Sequence, residues 1–359
     1  SYRIFKGTEV RQGAGGKGQG AWGEGQRAGG MENEFYKITV DPVKGGITGI
    51  FDKQLNVELL NGSTKYSAGE FIYERLGKNR HQLELLRLEE FTREVWKDLT
   101  VSKVTEGPVW SELTLTGQVP ECVHGDGIKL QLRLYNTTKK IEFCYSMEKK
   151  QVTDPEAVYI VFPFSLDSGV FHCEVAGGPM IPGKEQLEGS SSDWLGIQNF
   201  VALRNSKTQI IMTSPEIPLV QLGEINLGKF ARVAYPDSPT VYSWVLNNYW
   251  TTNFRAYQEG ELKWSYGITS DASLSDSSAA MFGWNERIPL LARVFPAVPH
   301  PAGQAESSFL GTVFQGLLLV NAVPGDEEGS VILQLRETGG REITLQTGDL
   351  LRSSGAKEI

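Results

Sequence analysis

Between Val109 and Met147 the chain alternates apolar and polar residues, and this period of two constrains the fold more than any other feature. Ile128, Leu130, Leu132 and Leu134 are separated by Lys129, Gln131 and Arg133. After the turn Asn136-Thr137-Thr138 the pattern returns as Ile141, Phe143, Tyr145 and Met147. Alternate side chains of a strand leave opposite faces, so this is an antiparallel hairpin with one face in a core and one in solvent. Upstream, Val109, Leu113, Leu115 and Val119 are expected on one face, with Trp110, Glu112, Thr114, Thr116 and Gln118 on the other.

Other runs read the same way. Phe35 to Val40 and Ile47 to Phe51 flank Asp41-Pro42 and Gly45-Gly46, a second hairpin. Ala157 to Phe164 is a strand, and Ile197 to Leu203 with Thr208 to Thr213 form a hairpin around Asn205-Ser206. Leu83 to Phe91, Leu99 to Val104, Val313 to Val320 and Val331 to Leu335 are further strands. One short helix is predicted over Ser277 to Arg287, with a serine cap and Pro289 just beyond. No βαβ pattern is present. The fold class is all-β, an antiparallel β-sandwich large for a single one.

Charge and composition remove several functions. The net charge is -8 and the charges are interspersed, so there is no basic stripe for nucleic acid. No apolar run approaches the roughly 20 residues of a membrane span. Three cysteines (Cys122, Cys144 and Cys173) do not make a disulfide framework, which points to a reducing, cytoplasmic location. Cys144 and Cys173 read as small core residues. Gln12 to Gly30 is so rich in glycine that it reads as a flexible loop, and it lacks the lysine–serine ending of a phosphate-binding loop.

The reactive residues are sparse. His124-Gly125-Asp126 has a spacing that can ligate zinc, but it sits in a glycine turn and reads as a hairpin tip. His172 alternates with apolar neighbours, as a strand histidine does; the remaining two are His81 and His300. No nucleophile elbow is present. Glu259, Glu261 and Asp193 are the carboxylates set among aromatics, but sequence spacing cannot pair residues on different strands.

Val241 to Ser270 begins and ends like a strand and holds a dense polar and aromatic run between. Its amides and flat rings match the hydroxyls and C–H face of a sugar, and burying them unpaired is costly. The run is thus either a satisfied structural crossing or a surface for a polar ligand. Asn247, Asn248, Trp250, Asn253 and Arg255 are the candidates for contact with substrate. Trp194 and Trp250 are either core tryptophans or stacking platforms.

Six blocks in order carry a resemblance: MENEFYKITVDPVKGGITGIFDK at Met31–Lys53, AVYIVFPF at Ala157–Phe164, DWLGIQNFVAL at Asp193–Leu203, PLVQLGEI at Pro218–Ile225, NNYWTTNFRAYQEG at Asn247–Gly260 and FGWNERIPL at Phe282–Leu290. Together they resemble the C-terminal β region of glycoside hydrolase family 38, the α-mannosidases, in its bacterial form. The resemblance implies a large antiparallel β super-sandwich, galactose mutarotase-like, over residues 31–290. Residues 1–30 would be the end of a preceding β segment plus the glycine-rich loop, and 291–359 smaller C-terminal β-sandwich elements. Complete members are retaining enzymes whose aspartate nucleophile and zinc, held by His and Asp, lie in an N-terminal part. That part is not matched here, and His124-Gly125-Asp126 lies in the wrong block to carry the zinc role. The implied function is the non-catalytic β portion of such an enzyme. It completes the rim of a zinc-dependent catalytic domain, which is its partner, around an α-mannoside substrate. No catalytic residue, metal or cofactor is expected in this chain, self-association is left open, and the chain alone is expected to be inactive. Two other readings compete: a free-standing carbohydrate-binding module, and an aldose epimerase-like enzyme. Four scattered histidines argue against the last.

Overall fold

The computed structural model describes residues 2–3, 29–77, 79, 81–85, 88–123, 125, 127–227, 231–250, 255–288, 290–291, 306–307 and 316–344. His124, Asp126, Asn253, Pro289, His300 and residues 12–28 of the glycine-rich segment lie outside them. The described residues divide into two compact units, the larger within 21–274 and 282–287, the smaller within 1–20, 275–281 and 288–359.

The larger unit is a large antiparallel β super-sandwich. One sheet has ten strands, with Gly260–Asp271 between Gln209–Thr213 and Ile141–Lys149, and the alternating strands Ile128–Tyr135 and Trp110–Gln118 beyond. A second sheet has six, with Glu156–Pro163 between Thr240–Asn247 and Glu70–Leu76 and Phe91–Val95 at one edge. A four-stranded sheet carries the Tyr36–Asp41 and Gly46–Asp52 hairpin. Every described pairing in these sheets is antiparallel.

The expected alternation is present: Ile128, Leu130, Leu132 and Leu134 are buried, as are Ile141, Phe143, Tyr145 and Met147. These face the second sheet. Phe162 packs edge-on to Phe143 at 5.3 Å and to Tyr266 at 5.0 Å between ring centroids, and the Tyr266 hydroxyl donates to Ser243 Oγ at 2.9 Å. Two sheets packed this way share one core. Glu156–Pro163 is buried at every position, because the outer face of its sheet is covered too. There Tyr159, Val161 and Trp244 join a separate apolar cluster with Ile72, Ile225 and Tyr249.

Some expectations are corrected. Val109 lies just outside its strand and is 51% exposed. Leu83 belongs to a short helix, His81–Glu84, and the strand that follows is Phe91–Val95. Ile197 precedes its strand, which runs Val201–Arg204. Cys173 is buried, but Cys144 sits on the half-exposed face of Ile141–Lys149, where the register alternates it with Phe143 and Tyr145. The buried partner in the cysteine set is Cys122.

The helix is Asp276–Arg287, and its start is capped by Ser275 Oγ, which accepts the Ser278 N–H at 3.1 Å. Within the smaller unit Leu317–Pro324 pairs with Val331–Glu337, a small hairpin. Tyr2–Arg3 pairs with Glu306–Ser307.

Candidate functional site

The stretch that drew attention in the sequence is the crossing between the two large sheets. Thr240–Asn247 belongs to the six-stranded sheet and Gly260–Asp271 to the ten-stranded one. A segment leaving one sheet for the other loses its ladder, so its backbone and side chains need other partners.

Asn248 supplies many of them. Its side chain is buried, and its Oδ1 accepts the Glu156 N–H at 2.7 Å. Its Nδ2 donates to the carbonyls of Val152, Asp154 and Ala256 at 3.0–3.1 Å. This amide ties both ends of the crossing to the loop before Glu156, and it faces inward. Asn247 ends its strand opposite Ala157 and is half-buried. Arg255 is exposed; it bonds Glu259 and lies over the Tyr257 ring at 4.4 Å.

Trp250 joins residues far apart in sequence. Its ring is 5.5 Å from Trp194, 6.0 Å from Trp244 and 6.1 Å from Tyr249. Trp244 in turn stacks on Tyr159 at 5.9 Å. Trp244 and Tyr249 are buried, while Trp194 and Trp250 are half-buried at the outer edge. Such tilted and edge-on pairs add about 0.5–1.5 kcal/mol each beyond burial. The cluster rests on a charged group: the Tyr249 hydroxyl donates to the buried Glu74 carboxylate, which pairs with Arg93 Nε at 2.5 Å. Burial first, then the neighbouring Tyr159 and the Glu74 charge, holds the Tyr249 phenol well above its ordinary value, so it stays a donor.

Trp194 also forms one wall of an open cleft of about 220 Å3, with Ser192, Glu224, Asn226, Tyr235 and Asp237 around it. Gly223, at φ +81°, turns the chain there; a Cβ on it would come within 2.7 Å of Asp237 Oδ1. Tyr235, 67% exposed, and Val233 line the cleft, and Val233 also lines an adjoining pocket with Leu187, 83% exposed.

Residues 31–210 match the family described as the glycosyl hydrolases family 38 C-terminal domain. The chain belongs to that family.

An alpha-mannosidase from Enterococcus faecalis V583 is similar in structure, with a TM-score of 0.65 at 11% identity over 86% of this chain and 36% of that one. A protein in glycosyl hydrolase family 38 from Enterococcus faecalis gives 0.66 at 11% identity over 88% and 38%. At that identity the likeness shows the fold. The chain thus spans little more than a third of the length of these structures. Galactose 1-epimerase from Lactobacillus acidophilus NCFM also matches, at a TM-score of 0.40 and 9% identity over 67% and 93%. No curated protein matches the chain.

Against this family background the histidines are dispersed. His172 lies in Val170–Val175 with its Nδ1 3.4 Å from an Arg204 nitrogen, and His81 pairs with Glu84 at 2.6 Å. Among the described residues no three His, Cys, Asp or Glu side chains converge as metal ligands do. Glu74, Arg93, Glu224 and Asp237 had no sequence signal, because the first two lie on separate strands and the other two in the connection between Leu219–Leu222 and Thr240–Asn247, and only the fold brings them to this face.

Proposed function

We propose that this chain is the β portion of an α-mannosidase-type retaining hydrolase, packing on a zinc-dependent catalytic domain that lies outside it. The observation that carries the reading is the family match over residues 31–210 together with the similarity to the Enterococcus faecalis alpha-mannosidase. The outer face of the six-stranded sheet is the surface offered to that domain. Its exposed Leu187, Val233 and Tyr235 beside a polar cleft combine apolar area with hydrogen-bonding groups, as interdomain contacts do. Trp250, Asn247 and Arg255 form the rim toward an α-mannoside. Asn248 acts beneath them by fixing the loop. Three free cysteines fit a reducing, cytoplasmic setting.

The test is hydrolysis of an aryl α-mannoside with zinc, by this chain alone and after adding the separately expressed N-terminal part of the enzyme it comes from. Activity only in the mixture is expected. Activity from this chain alone overturns the assignment.

A further inference from the structure

The hairpin of Tyr36–Asp41 and Gly46–Asp52 is fastened at its tip to residues 67–70, and one buried carboxyl group lies within the fastening. Ser67 Oγ donates to the Lys44 carbonyl at 2.6 Å and the Ala68 N–H to the Ile47 carbonyl at 2.9 Å. Trp96 Nε1 donates to the Gly45 carbonyl at 2.9 Å. Glu70, 4% exposed, lies against the tip: a Cβ on Gly45 would come within 2.9 Å of its Oε1 and 3.2 Å of its Oε2. Glycine permits that approach and also adopts the local φ of +92°.

Glu70 Oε2 accepts the Ser67 N–H at 2.7 Å, and among the described residues no lysine or arginine pairs with the carboxyl group. The charged and titratable groups around it are turned to other partners. Lys65 Nζ lies 4.8 Å over the Tyr66 ring, Lys44 is exposed, and Lys97 pairs with Glu94 at 2.8 Å. Asp41 accepts the Val43 N–H at 3.0 Å, and the Tyr145 hydroxyl donates to the Gly69 carbonyl at 2.7 Å. A neutral carboxyl group sits in this place at little cost. A carboxylate there has one donor and no counter-charge, so it favours any arrangement that lets water in. Burial accordingly pushes Glu70 up to about 7 from 4.5, over the opposing Ser67 N–H bond and the charge of Lys65.

We infer that Glu70 is a proton-operated latch: protonated, it seats the hairpin tip on residues 67–70, and ionised, it releases the tip and the loop at 61–68 while the two large sheets stay folded. Tyr66, on that loop, meets Tyr242 with ring centroids 6.4 Å apart, so release reaches the outer face of the six-stranded sheet. The latch is independent of the hydrolase assignment. The closed form holds its proton up to about 7 and the open form only to about 4.5, so opening releases one proton between these values. The opening equilibrium should therefore rise about tenfold per pH unit from about 5 to about 7 and level off above.

Hydrogen exchange on the full chain from about pH 5 to about pH 8, expressed as protection relative to the free amide, tests this. Protection of the Lys44, Ser67 and Ala68 amides should fall about tenfold per pH unit up to about 7 and then hold steady. The amides of Ile128–Tyr135 and Ile141–Lys149 should stay better protected at every pH. Glu70→Gln, which keeps a neutral group of the same shape, should abolish the slope and leave the tip closed. The carboxyl carbon of Glu70, followed by NMR in the wild-type chain, reads the same group without a substitution and should titrate near 7. Protection that does not change with pH overturns the inference, as does a slope that persists in Glu70→Gln. So does a Glu70 carboxyl titrating in the ordinary carboxylate range, or equal protection of the tip and the core strands at every pH, which would be global unfolding alone.

Discussion

The side-chain oxygen of Asn248 accepts the backbone N–H of Glu156 at 2.7 Å, and the Glu156 carboxylate in turn holds Lys149 at 2.5 Å, both charges being buried. The link joins the crossing between the two sheets to the strand at the centre of the six-stranded one. The polar density of this segment therefore serves the architecture first.

Replacing Asn248 removes one acceptor and a donor group shared by three carbonyls. Asn248→Ala should lower unfolding stability by about 2–3 kcal/mol, since buried backbone groups are left unmade. The midpoint of urea unfolding measures it. An unchanged midpoint would mean that water replaces the amide and that the tie is dispensable.

The Lys149–Glu156 pair predicts strong coupling. Tyr73 also donates to Glu156 at 2.6 Å. Glu156→Gln leaves the Lys149 charge buried without its partner and should cost about 3–5 kcal/mol. Adding Lys149→Met should recover part of that loss, which a double-mutant cycle in urea detects. Simple additivity would rule out the pairing.

Glu70 makes stability fall with rising pH. Burial pushes its carboxyl up to about 7 from 4.5, against a hydrogen bond from the Ser67 N–H and the charge of Lys65. Between these values the folded chain keeps a proton that the unfolded chain has released. The folded state therefore loses stability as pH rises through this window, by up to about 3 kcal/mol. Glu70→Gln should remove that fall, so the Tm of the variant relative to the parent should grow from pH 4.5 to 7.5. A constant difference would count against a raised Glu70.

Gly69 is held at φ +74°, and a Cβ there would meet Tyr145 Oη at 2.7 Å and Phe143 at 3.1 Å. The Tyr145 hydroxyl donates to the Gly69 carbonyl at 2.7 Å. Gly69→Ala should cost about 1–3 kcal/mol through strain and displacement of that phenol. Thermal unfolding checks the size, and near-ultraviolet circular dichroism checks the movement of Tyr145.

The alternation of Ile128 to Leu134 and Ile141 to Met147 was sufficient to predict a hairpin and the buried face of each strand, because side chains of a strand alternate whatever its partners are. Turn residues such as Asn205-Ser206 placed the next hairpin for the same local reason. The family resemblance was likewise carried by short contiguous blocks. Period two names two faces but not the sheet a strand joins, and here only the fold decided. It assigned Thr240–Asn247 and Gly260–Asp271 to different sheets, turned Cys144 outward, and buried both faces of Glu156–Pro163. It also gathered Trp194, Trp244, Trp250, Glu74 and Arg93 on one face, and Tyr66 against Tyr242 on the same side. Those meetings depend on contacts between distant parts of the chain, and the energy that fixes them is cross-sheet packing and buried pairing, which no local pattern encodes.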